Sequence, residues 1–517
     1  MFDIRWRVAD GSMIPRANRG LVHPFSAGTD SVDNVTRLSG DEREGGAEMV
    51  TRLSASDATF FKMENSATPM YVGSLLILRK PRGGLSYETV LATVEQRLPQ
   101  IPRYRQKVRE VRFGLSRPVW VDDRDFDITY HIRRSALPSP GSDSQLHELI
   151  ARLGSRPLDK SRPLWEMYLV EGLAKNRIAI YTKSHQALVN GMSALEIGHV
   201  IADRTQKPPV FGEDIWIPSR EPSDRQLVFG ALGEWVARPT AQAAALRSVV
   251  TDTVTTTSHL VDLGRRVAEV ARTVARGTAP SSPLNTTVSR NRRFSVSAGS
   301  LEVFRHLRAR YDCDVNDVVL AVVAGALRNW LLSRGEPVTS TTTVRAMAPM
   351  SVYPDAELHS SGPGQAISEV SPFLVDLPVG EANPVVRLSQ ITHATESHPT
   401  AASLVDARTI VTLTGFGPPT LHAMGIRVAT SFSARQFNLL ITNVPGAQKQ
   451  MYIAGTKLVE TYAVPPLLHN QVLAIGVTSY NGMLYFGINA DRDAMSDVDM
   501  LPGLLREALD ELVEAAQ

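Results

Sequence analysis

The stretch His185-Gln186-Ala187-Leu188-Val189-Asn190-Gly191 holds the residue types best able to do chemistry in this chain. Among its polar side chains only the imidazole of His185 gains or loses a proton near neutral pH. Gln186 and Asn190 are amides, which donate and accept hydrogen bonds but do not titrate there. A base that takes a hydroxyl proton in this segment is therefore His185, or the segment works by hydrogen bonding alone. By default a lone histidine is structural, and Asn190-Gly191 reads as a turn because both residues tolerate positive φ. Other chemistries find no residues to carry them. No cysteine and histidine set has zinc-ligand spacing. The glycines at Pro81-Arg82-Gly83-Gly84 lack the strand-to-helix setting of a phosphate loop. Neither a metal nor a resident cofactor is expected.

The elements around the motif follow from hydrophobic period and turn chemistry. Trp165 to Val170 and Ile178 to Lys183 read as strands separated by the turn formers Gly172 to Asn176, and the second strand runs directly into Ser184 and His185. Alternation along that strand puts His185 on the face of Tyr181 and Lys183, and Gln186 on the opposite one. Beyond the turn, Ser193 and Glu196 have capping-box spacing and predict a helix carrying Leu195, His199 and Val200. Upstream, Tyr87, Val90, Leu91, Val94 and Leu98 repeat with helical period and stop before Pro99. Pro163-Leu164-Trp165 is a strand entry with a core tryptophan.

In the second half, Arg292 to Val296 opens a patterned region, a helix is expected around Leu301 to Tyr311, and Asn316-Asp317 caps the apolar run Val318 to Leu327 as a buried helix. Strands are expected at Phe437 to Ile441 and Gln471 to Val477. The class is therefore mixed α and β.

At 517 residues the chain exceeds a single compact core, so two domains are expected. The reading is a disordered extension over 1–48, a motif-bearing domain over 49–216, a helical connection over 217–285 and a second domain over 286–517. Met49 is as good a start as Met1. With 55 basic and 53 acidic side chains, a formal charge of +2 gives no reason to expect a nucleic-acid partner. One cysteine, Cys313, forms no internal disulfide, the usual cytoplasmic pattern. No stretch reaches the roughly 18 uninterrupted apolar residues of a spanning helix. The basic, apolar region 227–276 is a candidate for lying on a membrane or lipid-droplet surface, although Thr253, Thr255 to Thr257 and Ser258 interrupt its apolar face.

The motif resembles the His-His-x-x-x-Asp-Gly heptad of bacterial wax ester synthase/diacylglycerol acyltransferases, here in the form His-Gln-x-x-x-Asn-Gly. Further segments follow in the family's order: Thr51 to Gly73, Pro163-Leu164-Trp165, Asn316-Asp317, Arg345 to Val352, Asn438 to Gly446, and Ser479 to Gly482. Together they cover roughly residues 49 to 515. The resemblance implies two domains of the chloramphenicol acetyltransferase kind, with the active channel between them and His185, Gln186 and Asn190 at its centre. It implies acyl-CoA as substrate, with diacylglycerol or a long-chain alcohol as acceptor.

In the family the second histidine is the base and the aspartate holds the loop; here Gln186 and Asn190 occupy those places, while His185 and Gly191 match. Losing a general base typically costs about 10²- to 10⁴-fold in rate. The leading expectation is an acyl-CoA-dependent O-acyltransferase of reduced activity making triacylglycerol or wax esters, with His185 the remaining candidate base. The alternative is a paralogue that binds acyl-CoA or neutral lipid without turning it over. A condensation-type domain from peptide synthesis shares motif and fold, but the segments at Asn316-Asp317 and Asn443 to Gly446 fit the lipid family better.

Overall fold

A computed structural model describes residues 51–189, 197–207, 209, 212, 215–237, 278–351, 370–396, 436–444 and 446–517. The expected extension over 1–48, Asn190, Gly191, the capping pair Ser193 and Glu196, and the expected connection from 238 to 277 lie outside these residues.

The first half runs α1 (Ala55–Met63), β1 (Tyr71–Arg79), α2 (Tyr87–Glu95), β2 (Gln106–Arg109), β3 (Val119–Asp122), α3 (Ile128–His131), β4 (Ile132–Ala136), α4 (Asp143–Gly154), β5 (Trp165–Leu173), β6 (Arg177–His185), α5 (Gln186–Val189), α6 (Ile197–Val200), β7 (Ala202–Asp203) and α7 (Asp224–Ala237). The second half runs β8 (Arg292–Ser300), α8 (Leu301–Tyr311), α9 (Val315–Ser333), β9 (Val344–Ser351), β10 (Val370–Leu377), α10 (Pro384–Glu396), β11 (Leu439–Val444), β12 (Tyr452–Ile453), β13 (Thr456–Val464), β14 (Leu473–Tyr480), β15 (Met483–Asp491) and α11 (Leu501–Ala515).

Among the described residues the main sheets are seven-stranded, in the order β4-β5-β6-β1-β13-β12-β7, and six-stranded, in the order β10-β9-β11-β14-β15-β8. The helix-and-strand mixture read from the sequence is therefore the observed class. Strands β5 and β6 are buried on both faces, which is why their sequences run apolar instead of alternating. The β5–β6 hairpin turns through Gly172, Lys175 and Asn176, all at positive φ.

Sheet membership departs from chain order at β12 and β13. They fall in 286–517 by sequence, yet β13 pairs antiparallel with β1, from Gly73↔Val464 to Leu78↔Leu458. The unpaired edge of β1 is thus closed by a strand from the far half of the chain.

Helix α9 differs from expectation at its start. The N-cap is Asp314, and Asp317 is its capping-box partner three residues in, accepting the Asp314 N–H at 3.0 Å. Asn316-Asp317 thus lies inside the first turn, because the helix begins at Val315, before the apolar run. Val315–Ser333 is long and apolar enough to cross a membrane. Here it is a core helix, with Val318, Leu327 and Trp330 buried in the second cluster.

Candidate active site

Strand β6 delivers His185 at its last position and α5 begins with Gln186, so the motif sits where an extended chain turns into a helix. Both neighbouring strands fix that point. Tyr71 of β1 is the register partner of His185, and the Gln186 N–H donates to the Met70 carbonyl at 2.9 Å. From the other side the His185 N–H donates to the Leu164 carbonyl at 3.0 Å. Pro163-Leu164-Trp165 is therefore the backbone seat of the motif histidine.

Trp165 is fully buried and begins β5 opposite Ser184. Its indole N–H donates to the Tyr104 carbonyl at 2.8 Å, and its ring stacks on His131 at 4.6 Å between centroids. His131 donates through Nδ1 to the Trp165 carbonyl at 2.8 Å. Burial pulls the His131 pKa down to about 4.

His185 is fully buried, on the face that also carries Tyr181 and Lys183. Its ring lies edge-on to Phe61 at 6.0 Å. The Ala187 N–H points at Nδ1 at 3.0 Å. A backbone N–H can only donate, so Nδ1 carries the lone pair and the neutral ring holds its proton on Nε2. That Nε2–H faces the Glu64 carboxylate, 3.8 Å away. Burial, with the Lys160 charge adding to it, lowers the His185 pKa to about 3.

Such an imidazole is poorly placed to take a proton from an acceptor alcohol. Its only basic lone pair is already engaged, and its cation is strongly disfavoured. The half-buried Gln186 side chain forms no hydrogen bond to any described residue.

The second-half segments form a separate group. Asn443 of β11 donates its amide to the Asn316 side-chain oxygen. Asp317 also accepts from the Thr395 hydroxyl at 2.9 Å, tying α9 to α10. Asn438 is fully buried; its amide donates to the Pro280 carbonyl at 2.7 Å, and its side-chain oxygen accepts the Arg345 N–H at 2.7 Å. Gly446 meets Ser479, its N–H donating to the hydroxyl at 3.2 Å. The structure therefore joins His185 to Pro163-Leu164-Trp165 at the end of β6, and joins Asn316 of α9 to Asn443 of β11 in the second half. Asn190 and Gly191 lie outside the described residues.

Sequence reasoning passed over Glu64, Lys160, His131 and Tyr104. Glu64 left a usable signal, since a carboxylate just after a helix and before an apolar strand needs a reason to be there. Among the described residues no group of His, Cys, Asp and Glu is arranged to hold a metal ion.

Known proteins are similar to this chain in sequence and fold. Residues 53–319 match the wax ester synthase/diacylglycerol acyltransferase catalytic domain family, and residues 369–513 match the WS/DGAT C-terminal domain family. A Mycobacterium tuberculosis protein named a probable diacylglycerol O-acyltransferase is 73% identical over 266 residues, which is 52% of this chain and 98% of that protein. A second protein of that name and organism is 30% identical over 469 residues, 90% of this chain and 96% of its own length. The wax ester synthase/diacylglycerol acyltransferase of Marinobacter aquaeolei VT8 superposes with a TM-score of 0.61 at 25% identity, covering 90% of this chain and all of that one. The first condensation domain of the calcium-dependent antibiotic synthetase, at 14% identity and a TM-score of 0.50, covers 90% of this chain and 97% of its own and shares the fold.

Proposed function

This chain belongs to the wax ester synthase/diacylglycerol acyltransferase family, and from that premise we propose that it moves a long acyl chain from a coenzyme A thioester onto the hydroxyl of diacylglycerol, giving triacylglycerol. A long-chain alcohol is the second acceptor, giving a wax ester. The observation that carries this reading is the motif seat itself, with His185 and Gln186 held at the end of β6 by Leu164 and Met70, inside the segment that matches the catalytic domain.

In the transfer, the acceptor oxygen bonds to the thioester carbonyl carbon, the carbon–sulfur bond breaks, and the hydroxyl proton ends on the departing sulfur. Gln186 stands at the base position and contributes a hydrogen bond to the hydroxyl instead of removing its proton. Pre-alignment of the two substrates remains as the main source of acceleration. His185 serves the loop and not the proton. The missing base raises the barrier by about 3 to 5.5 kcal/mol. Radiolabelled acyl-CoA incubated with diacylglycerol or hexadecanol should yield labelled ester at a slow but measurable rate. No ester above a boiled-protein control, over a range of acyl lengths, would sink the reading.

A second reading has a specific observation in its favour: the base position is an amide and the imidazole of His185 has its lone pair engaged. A protein so built binds acyl-CoA without turning it over, and tight binding with no ester formed in that assay would identify it.

The acceptors are lipids, so the protein has reason to meet a lipid surface. Ile215 and Ile217, ahead of α7 in the chain, and Phe229 within it are 86%, 80% and 70% exposed, and these are the apolar side chains through which such contact would be made. Vesicle flotation should carry the native protein upward and leave an Ile215→Asn, Ile217→Asn, Phe229→Ser variant behind. Equal partitioning of the two proteins removes the lipid-surface role.

A further inference from the structure

Resting on the acyl-transfer reading, we propose that Lys160 and Glu64 are positioning residues for the transfer step: they hold His185 as its Nε2–H tautomer, and through it the turn that presents Gln186. The argument begins at the end of α1. Glu64 is its C-cap, and its carboxylate is 3% exposed. One oxygen accepts the Met70 N–H at 3.3 Å, while the other lies 3.0 Å from the Lys160 ammonium and 3.8 Å from His185 Nε2. Lys160 is tied back to the same helix, donating to the Phe61 carbonyl at 2.9 Å and lying over the Phe61 ring at 4.3 Å.

These contacts converge on two backbone bonds that set the motif. The Met70 peptide meets Glu64 through its N–H and Gln186 through its carbonyl, so Glu64 steadies the strand that receives the Gln186 N–H. Simultaneously, the carboxylate facing Nε2 favours the proton there, which leaves Nδ1 free to accept the Ala187 N–H and so fix the first turn of α5. At 3.8 Å the carboxylate acts on the ring by its field, as no direct hydrogen bond spans that gap. Lys160 in turn compensates a carboxylate that would otherwise be buried and unpaired, a costly state. The side chain of Lys160 is 39% exposed, so it can be changed without opening the core.

The test needs two readouts. First, 15N spectra of histidine-labelled protein, with His185→Asn for assignment, should show His185 at neutral pH as the Nε2–H tautomer, and Glu64→Gln should mix in the other form. This readout needs no substrate. Second, kcat for acyl transfer should fall about tenfold or more in both Lys160→Met and Glu64→Gln, because small misplacements of reacting groups cost that much. KM for acyl-CoA should hold, and Lys160→Arg should restore the rate. If the native rate is too low to follow, the same variants are made on Gln186→His, Asn190→Asp protein. A proton on Nδ1 of His185 in the native protein overturns the proposal even where transfer is found, as does an unchanged kcat in both variants. The expected tautomer without transfer in either background overturns the acyl-transfer reading and the positioning role with it.

Discussion

Gln186→His combined with Asn190→Asp is expected to raise kcat for acyl transfer to diacylglycerol by about 10²- to 10⁴-fold over the native protein, the usual contribution of a positioned general base. The reason lies in where the proton goes. Attack by the acceptor oxygen develops a positive charge on that oxygen unless a base relieves it, and an amide cannot. The histidine introduced at 186 would stand at the first position of α5, next to the ring that the Ala187 N–H already engages. The gain should appear in kcat, with KM for acyl-CoA nearly unchanged, since the thioester contacts are untouched. It should also bring a pH dependence that the native protein lacks. The restored variant should speed up as pH rises through about 6.5, the ordinary pKa of an imidazole, while the native rate stays flat there. Initial rates from pH 5.5 to 8 with labelled acyl-CoA decide the matter. Equal rates and equal profiles for the two proteins would mean that the departing thiolate already takes the proton efficiently, and that Gln186 has cost the chain nothing.

The sequence disclosed the motif and its seat because both depend on local chemistry. Alternation through Tyr181, Lys183 and His185 puts these residues on one buried face, and the turn formers Gly172 to Asn176 make the hairpin. A tryptophan after Pro163-Leu164 at a strand entry reads as core, and Trp165 is fully buried. What stayed hidden depends on distant parts of the chain meeting. Nothing local in Thr456 to Val464 says that it pairs with β1 and not with strands of its own half. The brace on His185 brings together residues 64, 160 and 185, and a sequence gives no sign of which carboxylate faces which ring. The helix start at Asp314 was missed for a nearer reason: Asn316 and Asp317 are both good caps, but Asp314 with Asp317 three residues on makes the full box. Asn316 is left to bond Asn443, a pairing that explains two separate motifs only once the strands are placed.

The strand that completes the motif sheet gives the second large effect. Ala463 of β13 crosses the second sheet where Gly476 and Gly487 face each other in register on β14 and β15. A Cβ on Gly487 would sit 1.8 Å from the Ala463 carbonyl oxygen, and one on Gly476 would sit 2.7 Å from the Ala463 Cβ. The two glycines form a flat platform on which a backbone rests. The obstacle at Gly487 is main chain and not a side-chain tip, so little there can give way. Gly487→Ala is expected to destabilise the protein by about 3 kcal/mol or more, at or beyond the upper end for overpacking. It should also reach the motif, because Ala463 pairs with Ser74, Ser74 with Thr182, and the β6 that carries Thr182 ends at His185. Denaturant unfolding followed by tryptophan fluorescence measures the first effect and labelled acyl transfer the second. Gly503→Ala is the control: its Cβ meets nothing within 4 Å near the start of α11, so helix propensity alone makes it neutral or slightly stabilising. If Gly487→Ala unfolds at the native midpoint and transfers at the native rate, the crossing has slack, and the strand that crosses the second sheet does not set the position of His185.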